Sequence, residues 1–573
     1  MSPPDPLATA TAGSLQVPSD WMPASQVRPL VFEDPALVWL EYHGAQSGFQ
    51  PDQSPYSLLD FIATKSRQFE DKWLQEMAPQ AVRVCREAYE VKQAEKVRQT
   101  IELMQQGAPV IAQPALWWAP ERIYGAPDLI VHSVWLREKF PGLGEAVQGA
   151  AGAPHPGHYL VFELKFITNL DSRDKAKNLA AYAAQLRLYT YMLGQLQGSM
   201  PRLGYLIARD RVADPLPVEV TSALAGPLDA DLAALRDQFI EIKVNGAYYL
   251  PWVDAIVASN PANADERWRS AKDTIAREKV PGGDSALLYQ VGSVARRGLA
   301  EIGYPSLAAL LDQEPGAIPL EAIKGLGGKK ASQMRAILQA NRGKSPVLPP
   351  PDLLPPRKPF EFYVDYEFFT NLNVDFERQW PGLEGCEMVF LIGVGWEQDA
   401  AWRYETLVAA GEDHRQEWDL FERFIQRLAS LTDGAFSDPQ RTALYHWTGA
   451  EPRQTQRAAD RQQLAGGKRS DAPLRRLPWV DLQKVFLDGP VALPGALDYG
   501  LKSVAKALGE FDPQFMTHWL AGFDEGLQAM VMGWKAYQAA DPLQTQEMRT
   551  LTGYLEADCK ALWNILRWLR THA

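Results

Sequence analysis

Residues 159–166 read YLVFELKF, and that run decides how the first half of the chain is built. Its alternation puts Leu160, Phe162, Leu164 and Phe166 on one face and Tyr159, Val161, Glu163 and Lys165 on the other. Both faces are mostly apolar, so the segment reads as an interior strand. A Glu and a Lys then project side by side where charge is costly unless it is paired or bound to a metal. A lone Glu-x-Lys is more often a cross-strand ion pair, but the surroundings argue for more. Upstream, residues 124–131 (YGAPDLIV) put Asp128 at the start of a second short apolar strand, behind Gly125. Two carboxylates at neighbouring strand ends can hold a hard divalent cation. Downstream, Leu179, Ala183, Leu186 and Leu193 keep helical spacing, and Gln185 and Tyr189 stand four apart on one helical face.

The second half has a similar pattern. In residues 360–369 (FEFYVDYEFF), Phe362, Val364, Tyr366 and Phe368 share a face, which leaves Glu361, Tyr363, Asp365 and Glu367 opposite. Residues 388–396 (MVFLIGVGW) are apolar throughout and read as a central strand. Pairing with it buries Asp365 and Glu367 enough that their repulsion needs a cation. Near the C-terminus, Leu551, Leu555, Leu562, Ile565 and Leu569 make an apolar helical stripe interrupted by Asp558, with Tyr554 one turn before it. A carboxylate on such a stripe also asks for a metal.

Between these halves, residues 323–334 (IKGLGGKKASQM) combine a Gly-containing tight turn with the start of a helix. Amides of a turn formed by Gly325 and Gly327, with Lys329 and Lys330, make a site for a backbone phosphate without reading bases. The alternative is a Gly-capped helical hairpin used for packing. Residues 291–310 look like a second copy of the hairpin. Residues 345–359 (SPVLPPPDLLPPRKP) forbid helix and read as an extended spacer, and a softer seam falls at residues 260–265 (NPANAD).

The chain has 573 residues, too many for one core, and a net charge of −12. That charge weighs against a nucleic-acid partner unless cations line a local groove. Two basic stretches supply candidates: Lys324, Lys329, Lys330, Arg335, Arg342 and Lys344, and then Arg453, Arg457, Arg461, Lys468, Arg469, Arg475 and Arg476. Three scattered cysteines, Cys85, Cys386 and Cys559, argue against a disulfide framework, a zinc knuckle or an iron–sulfur cluster, so any metal binds through oxygen. No apolar run suits a membrane span and no targeting segment is evident, so a soluble, cytoplasmic protein without membrane contact is expected.

In this order the motifs resemble known nucleases. Pro127-Asp128, Glu163-Leu164-Lys165 and Gln185 to Tyr189 resemble the RecB branch of the PD-(D/E)XK superfamily. That resemblance implies that Asp128 and Glu163 bind Mg2+ or Mn2+, that Lys165 positions the attacking water, and that Gln185 and Tyr189 support the substrate strand. Glu70, in RQFEDKWL, would add a ligand from an upstream helix. Residues 25–44 (SQVRPLVFEDPALVWLEYHG) resemble the opening of CRISPR-associated exonucleases of this branch, with Asp34-Pro35 where a cluster cysteine usually stands, so no iron–sulfur cluster is expected. The hairpin resembles the helix-hairpin-helix of DNA repair proteins.

Asp365-x-Glu367 with Tyr554 to Asp558 (YLEAD) resembles the DEDD exonucleases of the RNase H-like fold, in the subtype with Tyr rather than His at this turn. The third acid implied is Glu451, in residues 443–451 (ALYHWTGAE), where the family has Asp; Asp481 in PWVDL competes for the role. Residues 497–509 (LDYGLKSVAKALG) resemble YprB-type members.

The expected architecture is α/β and multidomain: a disordered tail over residues 1–24, a restriction-endonuclease-like α/β core over 25–260, an all-α helix-hairpin-helix segment over 261–344, a Pro-rich linker over 345–359 and an RNase H-like domain over 360–573. The expected function is metal-dependent hydrolysis of phosphodiester bonds, in DNA more than RNA, for nucleic-acid processing, repair or defence, with a helicase or repair protein as the expected partner. The alternatives are a nuclease with one working site and a non-catalytic nucleic-acid adaptor.

Overall fold

The computed structural model describes residues 6–32, 34–143, 158–220, 232–246, 266–373, 387–464, 472–519 and 526–572. The seam at 260–265, Cys386, Lys468 and Arg469 lie outside them. The chain is mixed α/β, with three sheets among the described residues, and divides into two compact units: residues 1–51 with 62–257, and residues 52–61 with 258–573. Among the described residues no helix is long and apolar enough to cross a membrane.

The first unit carries β1 (Met22–Pro23), β2 (Val82–Arg83), β3 (Val110–Ala112), β4 (Leu116–Trp118), β5 (Ile123–Gly125), β6 (Leu129–His132), β7 (Tyr159–Lys165), β8 (Leu203–Ala208) and β9 (Leu216–Glu219). Six form a sheet in the order β2-β3-β6-β7-β8-β9. β6 runs antiparallel to β7, with Leu129 opposite Phe162, and β8 runs parallel to β7. The parallel step needs a crossover, which the helix Ala176–Gln197 supplies before ending on Gly198 in the left-handed conformation (φ 68°). Residues Tyr159 to Leu164 of β7 are all buried, as expected of a strand with apolar side chains on both faces.

The N-terminal segment departs from expectation. Instead of a frayed tail, residues 6–24 form a short helix, Pro6–Thr11, and then β1, which pairs with β5 in a three-stranded sheet β1-β5-β4. Ala10, Trp21, Met22 and Ala24 are buried. These few apolar side chains supply the burial that the Pro/Ala/Ser/Thr-rich composition conceals.

The second unit carries β10 (Phe360–Phe369), β11 (Met388–Gln398), β12 (Ala401–Val408), β13 (Thr442–His446) and β14 (Trp479–Asp481), in the order β12-β11-β10-β13-β14. β10 is antiparallel to β11 and parallel to β13, which is parallel to β14. Phe362, Val364 and Tyr366 enter one core while Tyr363 enters the other. A register shift between Glu367 and Phe368 breaks the alternation, so Phe369, not Phe368, is the buried ring at the end of the strand. The C-terminal helix Gln546–His572 packs on β10 and β11.

The hairpin segment does not stand apart from this sheet. Leu326, Met334 and Ile337 share one core with Leu508, Leu562 and Trp568. Nor are residues 345–359 a free spacer. Val347 exchanges backbone hydrogen bonds with Ala492, Arg570 donates to the Pro355 carbonyl, and Leu348 and Leu354 pack on the core. The expectation of no helix holds only for the α form, since Pro351–Leu353 make a single 3-10 turn that starts on a proline, and the apolar residues between the prolines strap the segment down.

Candidate active sites

In the first unit, Asp128 stands one step before Leu129, so the β6–β7 register brings it to Glu163. The Asp128 amide donates to Glu163 Oε1 (3.1 Å), and the Leu164 amide donates to Asp128 Oδ2 (2.7 Å). Lys165 Nζ lies 2.5 Å from Glu163 Oε2 and 4.0 Å from Asp128 Oδ2. Glu70, on the helix Leu58–Met77, joins through Gln113, whose amide nitrogen donates to Glu70 Oε1 (3.0 Å) and Asp128 Oδ1 (3.3 Å).

Burial, followed by the nearby Asp128 charge, pushes Glu163 and Glu70 each up to about 7. Burial opposes the charge on Lys165, but Glu163 and Asp128 more than offset it and hold its pKa above the ordinary lysine value. Gln185 donates to the Tyr189 hydroxyl (3.1 Å), and burial, then Glu163, raises that phenol well above its usual value. The Tyr189 ring reaches the site because residue 125 is glycine: a Cβ there would sit 2.6 Å from Tyr189 Cε1. All of the residues expected at this site therefore meet. Gln113 was not foreseen, because a single glutamine at a loop position with φ 47° carries no sequence signal.

In the second unit four acids converge. Glu367, Glu451 and Asp558 are 5%, 3% and 5% exposed, and Asp365 is only partly covered. The Asp365 and Glu451 side chains are hydrogen-bonded to each other. Asp558 accepts from Trp519 Nε1 (2.7 Å) and from Tyr554. Burial first, and then neighbouring acids, raise Asp365 and Glu367 well above the carboxylate range; burial also raises Glu451 and Asp558. Tyr554 is raised by burial and by Asp558. The helix bearing Asp558 comes this close because Gly393, opposite Asp365 in β11, has no side chain: a Cβ would meet Tyr404 Oη at 2.9 Å and Leu555 Cβ at 3.2 Å.

Of the two candidates for third acid, Glu451 is the one against Asp365. Asp481 lies behind it, near enough to act electrostatically on both Glu451 and His446. His446 Nδ1 is 3.2 Å from Glu451 Oε2 without hydrogen-bond geometry. Burial lowers that imidazole to about 4, so the contact is not an ion pair near neutrality. His446 and Trp519 escaped the sequence reading, although His446 lies inside a stretch it singled out.

Both donor sets suit a hard cation: they are oxygen-only and largely shielded, and burial first, then neighbouring acids, raises most of their carboxyl groups. Among the described residues no three His, Cys, Asp or Glu side chains are gathered as a ready metal-holding group.

In the hairpin, Gly325 (φ 96°) and Gly328 (φ 64°) hold left-handed conformations, and Gly328 caps the helix Lys329–Gly343. Gly327 has an ordinary φ, and a Cβ there would meet only the Glu321 carbonyl oxygen at 4.0 Å, so the glycine that shapes this turn beside Gly325 is Gly328. Gly325→Ala should therefore cost about 1–2 kcal/mol of stability, while Gly327→Ala costs close to nothing. Chemical denaturation of the two variants checks the difference, and equal effects would contradict it.

Six of the eleven described cations of the two basic stretches stand in ion pairs. Lys329 pairs with Asp488 (3.1 Å), Arg335 with Glu321, Arg342 with Glu314, Arg457 with Glu387, Arg461 with Glu417 and Arg475 with Asp460. Lys329 nevertheless keeps most of its side chain exposed, and Lys324 and Lys330 are exposed beside it. Comparison of the chain with protein-family models, curated proteins and solved structures returns no match.

Proposed function

We propose that this chain is a metal-dependent nuclease that hydrolyses phosphodiester bonds in DNA, with one catalytic pocket in each unit. One observation carries the reading: in both units, acids far apart in sequence converge at a central strand, Asp128 with Glu163 and Glu70, and Asp365 and Glu367 with Glu451 and Asp558. Burying several carboxylates together is unfavourable, and a protein that only binds nucleic acid has no use for them.

The strand arrangements support the finer folds. A mixed sheet with the acids on antiparallel β6 and β7, followed by a helical crossover to parallel β8, agrees with a restriction-endonuclease-like core. The order β12-β11-β10-β13-β14, with three antiparallel strands and then two parallel ones, agrees with an RNase H-like domain.

Asp128, Glu163 and Glu70 would hold Mg2+ or Mn2+ in the first pocket, and Asp365, Glu367, Glu451 and Asp558 in the second; such an ion, when bound, supplies Lewis acidity and an acidified water. The chain's own residues do the rest. Lys165 places an ammonium where charge grows on a phosphoryl oxygen, with Glu163 holding it in position. Gln185 and Tyr189 fix the substrate strand beside it. In the second pocket the Tyr554 hydroxyl, held protonated, donates to Asp558 and orients the nucleophile. The hairpin amides around Gly325 and Gly328, with Lys324, Lys329 and Lys330, offer a backbone-phosphate contact blind to base sequence.

Purified chain should cut end-labelled single-stranded, double-stranded or flapped DNA with Mg2+ or Mn2+, and EDTA should stop it. Absence of cleavage of any of these, and of RNA, with tight salt-sensitive DNA binding retained, would leave the adaptor reading in its place.

A further inference from the structure

Carboxylates are not the only groups that hold Lys165. Its Nζ lies 2.5 Å from Glu163 Oε2 and 4.0 Å from Asp128 Oδ2, and the same nitrogen stands over the Tyr182 ring, 5.2 Å from its centre, within cation–π range. Tyr182 is half-buried on the helix Ala176–Gln197. It comes one turn before Gln185 and two before Tyr189, so the three side chains follow one face of that helix.

A second cation shares the ring. Arg28 belongs to the short helical segment Arg28–Phe32, which packs on the same long helix, and its guanidinium carbon stands 5.4 Å from the ring centre. Two positive groups repel each other. The negative faces of an aromatic ring favour bringing both to one side chain, and an aliphatic side chain of similar size has no such attraction.

The two kinds of partner differ in what else they attract. A hard divalent cation takes carboxylate oxygens, the same atoms that hold the Lys165 ammonium, whereas an aromatic face is no ligand for such a cation. An ion at Asp128 and Glu163 therefore competes with Lys165 for those oxygens and leaves the Tyr182 ring to it.

We propose that Tyr182 is a positioning residue for Lys165, its ring keeping the ammonium aimed at the scissile phosphate when the carboxylates are engaged elsewhere. The inference rests on the reading of the first pocket as a nuclease site. The face of the ring, not the phenol oxygen, carries the role.

The test uses the full chain with Asp365→Asn and Glu367→Gln to silence the second pocket. Tyr182→Phe, which keeps the ring face, is the reference, and the same Phe is introduced with one, two, three and five ring fluorines. Fluorine barely alters the shape of the ring but drains negative charge from its faces. With end-labelled DNA and Mn2+, kcat should fall step by step along the series, to about ten-fold below the reference with five fluorines. KM, Mn2+ affinity by calorimetry and melting temperature should stay level.

A kcat indifferent to fluorination, or a loss that follows KM or melting temperature instead, overturns the proposal and leaves the nuclease reading standing. If the Tyr182→Phe reference and its Tyr182 parent both leave DNA uncut, the nuclease reading of this pocket fails and the inference falls with it.

Discussion

Lys165→Ala will lower hydrolysis at the first pocket by about 100- to 1,000-fold, the usual loss when one donor to a developing oxyanion is removed. Lys165 is the residue to change because its ammonium touches Glu163 at 2.5 Å and reaches Asp128 at 4.0 Å. It therefore sits where an ion-bound phosphate would gather negative charge. Asp365→Ala should do the same to the second pocket, since Asp365 contacts Glu451 and lies within the field of Asp558.

If both pockets work, each single variant loses the products of one site and only the double variant is silent. If only one works, one single variant already abolishes all cleavage. Rates on end-labelled substrates separate these cases, and full activity in both single variants would remove both assignments. The Lys165 change also leaves Glu163 buried without its partner, so circular dichroism should accompany the rates.

Without metal, the protein will lose stability as pH rises from about 7 to 8.5, and a divalent ion will restore it. Glu451 is pushed up to about 8 and Asp365 and Glu367 lie well above the carboxylate range, all by burial first, so their loss falls in this window, whereas Glu70 and Glu163, pushed up to about 7, lose most of theirs before it begins. Each such group keeps a proton in the folded chain that the unfolded chain has released. The stability this provides is complete below the unfolded value and drains away as pH climbs through the folded one. Each group contributes at most about 1.4 kcal/mol per pH unit within its window.

His446 acts in the opposite sense. Its value is lowered to about 4 from 6.5, so it opposes the carboxylates only between those limits. Above pH 7 the carboxylates dominate. Melting temperature in EDTA should fall across pH 7 to 8.5, and saturating Mg2+, at about 100 times its Kd, should return about 2.7 kcal/mol. A melting temperature that is level or rising with pH in EDTA would show that the acids are not crowded as described.

Part of each pocket was legible in advance because chemistry on regular elements leaves a periodic trace. Glu163 and Lys165 alternate with apolar residues on a strand, and Asp558 interrupts an apolar helical stripe, so each stands out as a charge where charge is costly. Gln113 and Trp519 leave no such trace. They act from loops, where any polar residue is ordinary, and only their distance to an acid gives them meaning. Spacing alone did not separate Glu451 from Asp481 either, because each stands at or just after the end of a short strand; the parallel pairing of β13 with β10 brings Glu451, on the helix after β13, to Asp365 and leaves Asp481, at the end of β14, one strand away.

By itself the sequence determined the mixed α/β class, the interior strands and the acids that interrupt them, since local alternation and the cost of buried charge are written into neighbouring residues. Tertiary structure alone decided that residues 6–24 pack instead of fraying, that the hairpin and the proline-rich strap share a core with the second sheet, and which acid meets which. Those outcomes depend on contacts between residues tens to hundreds of positions apart, where burial gained by the whole outweighs what any local stretch prefers.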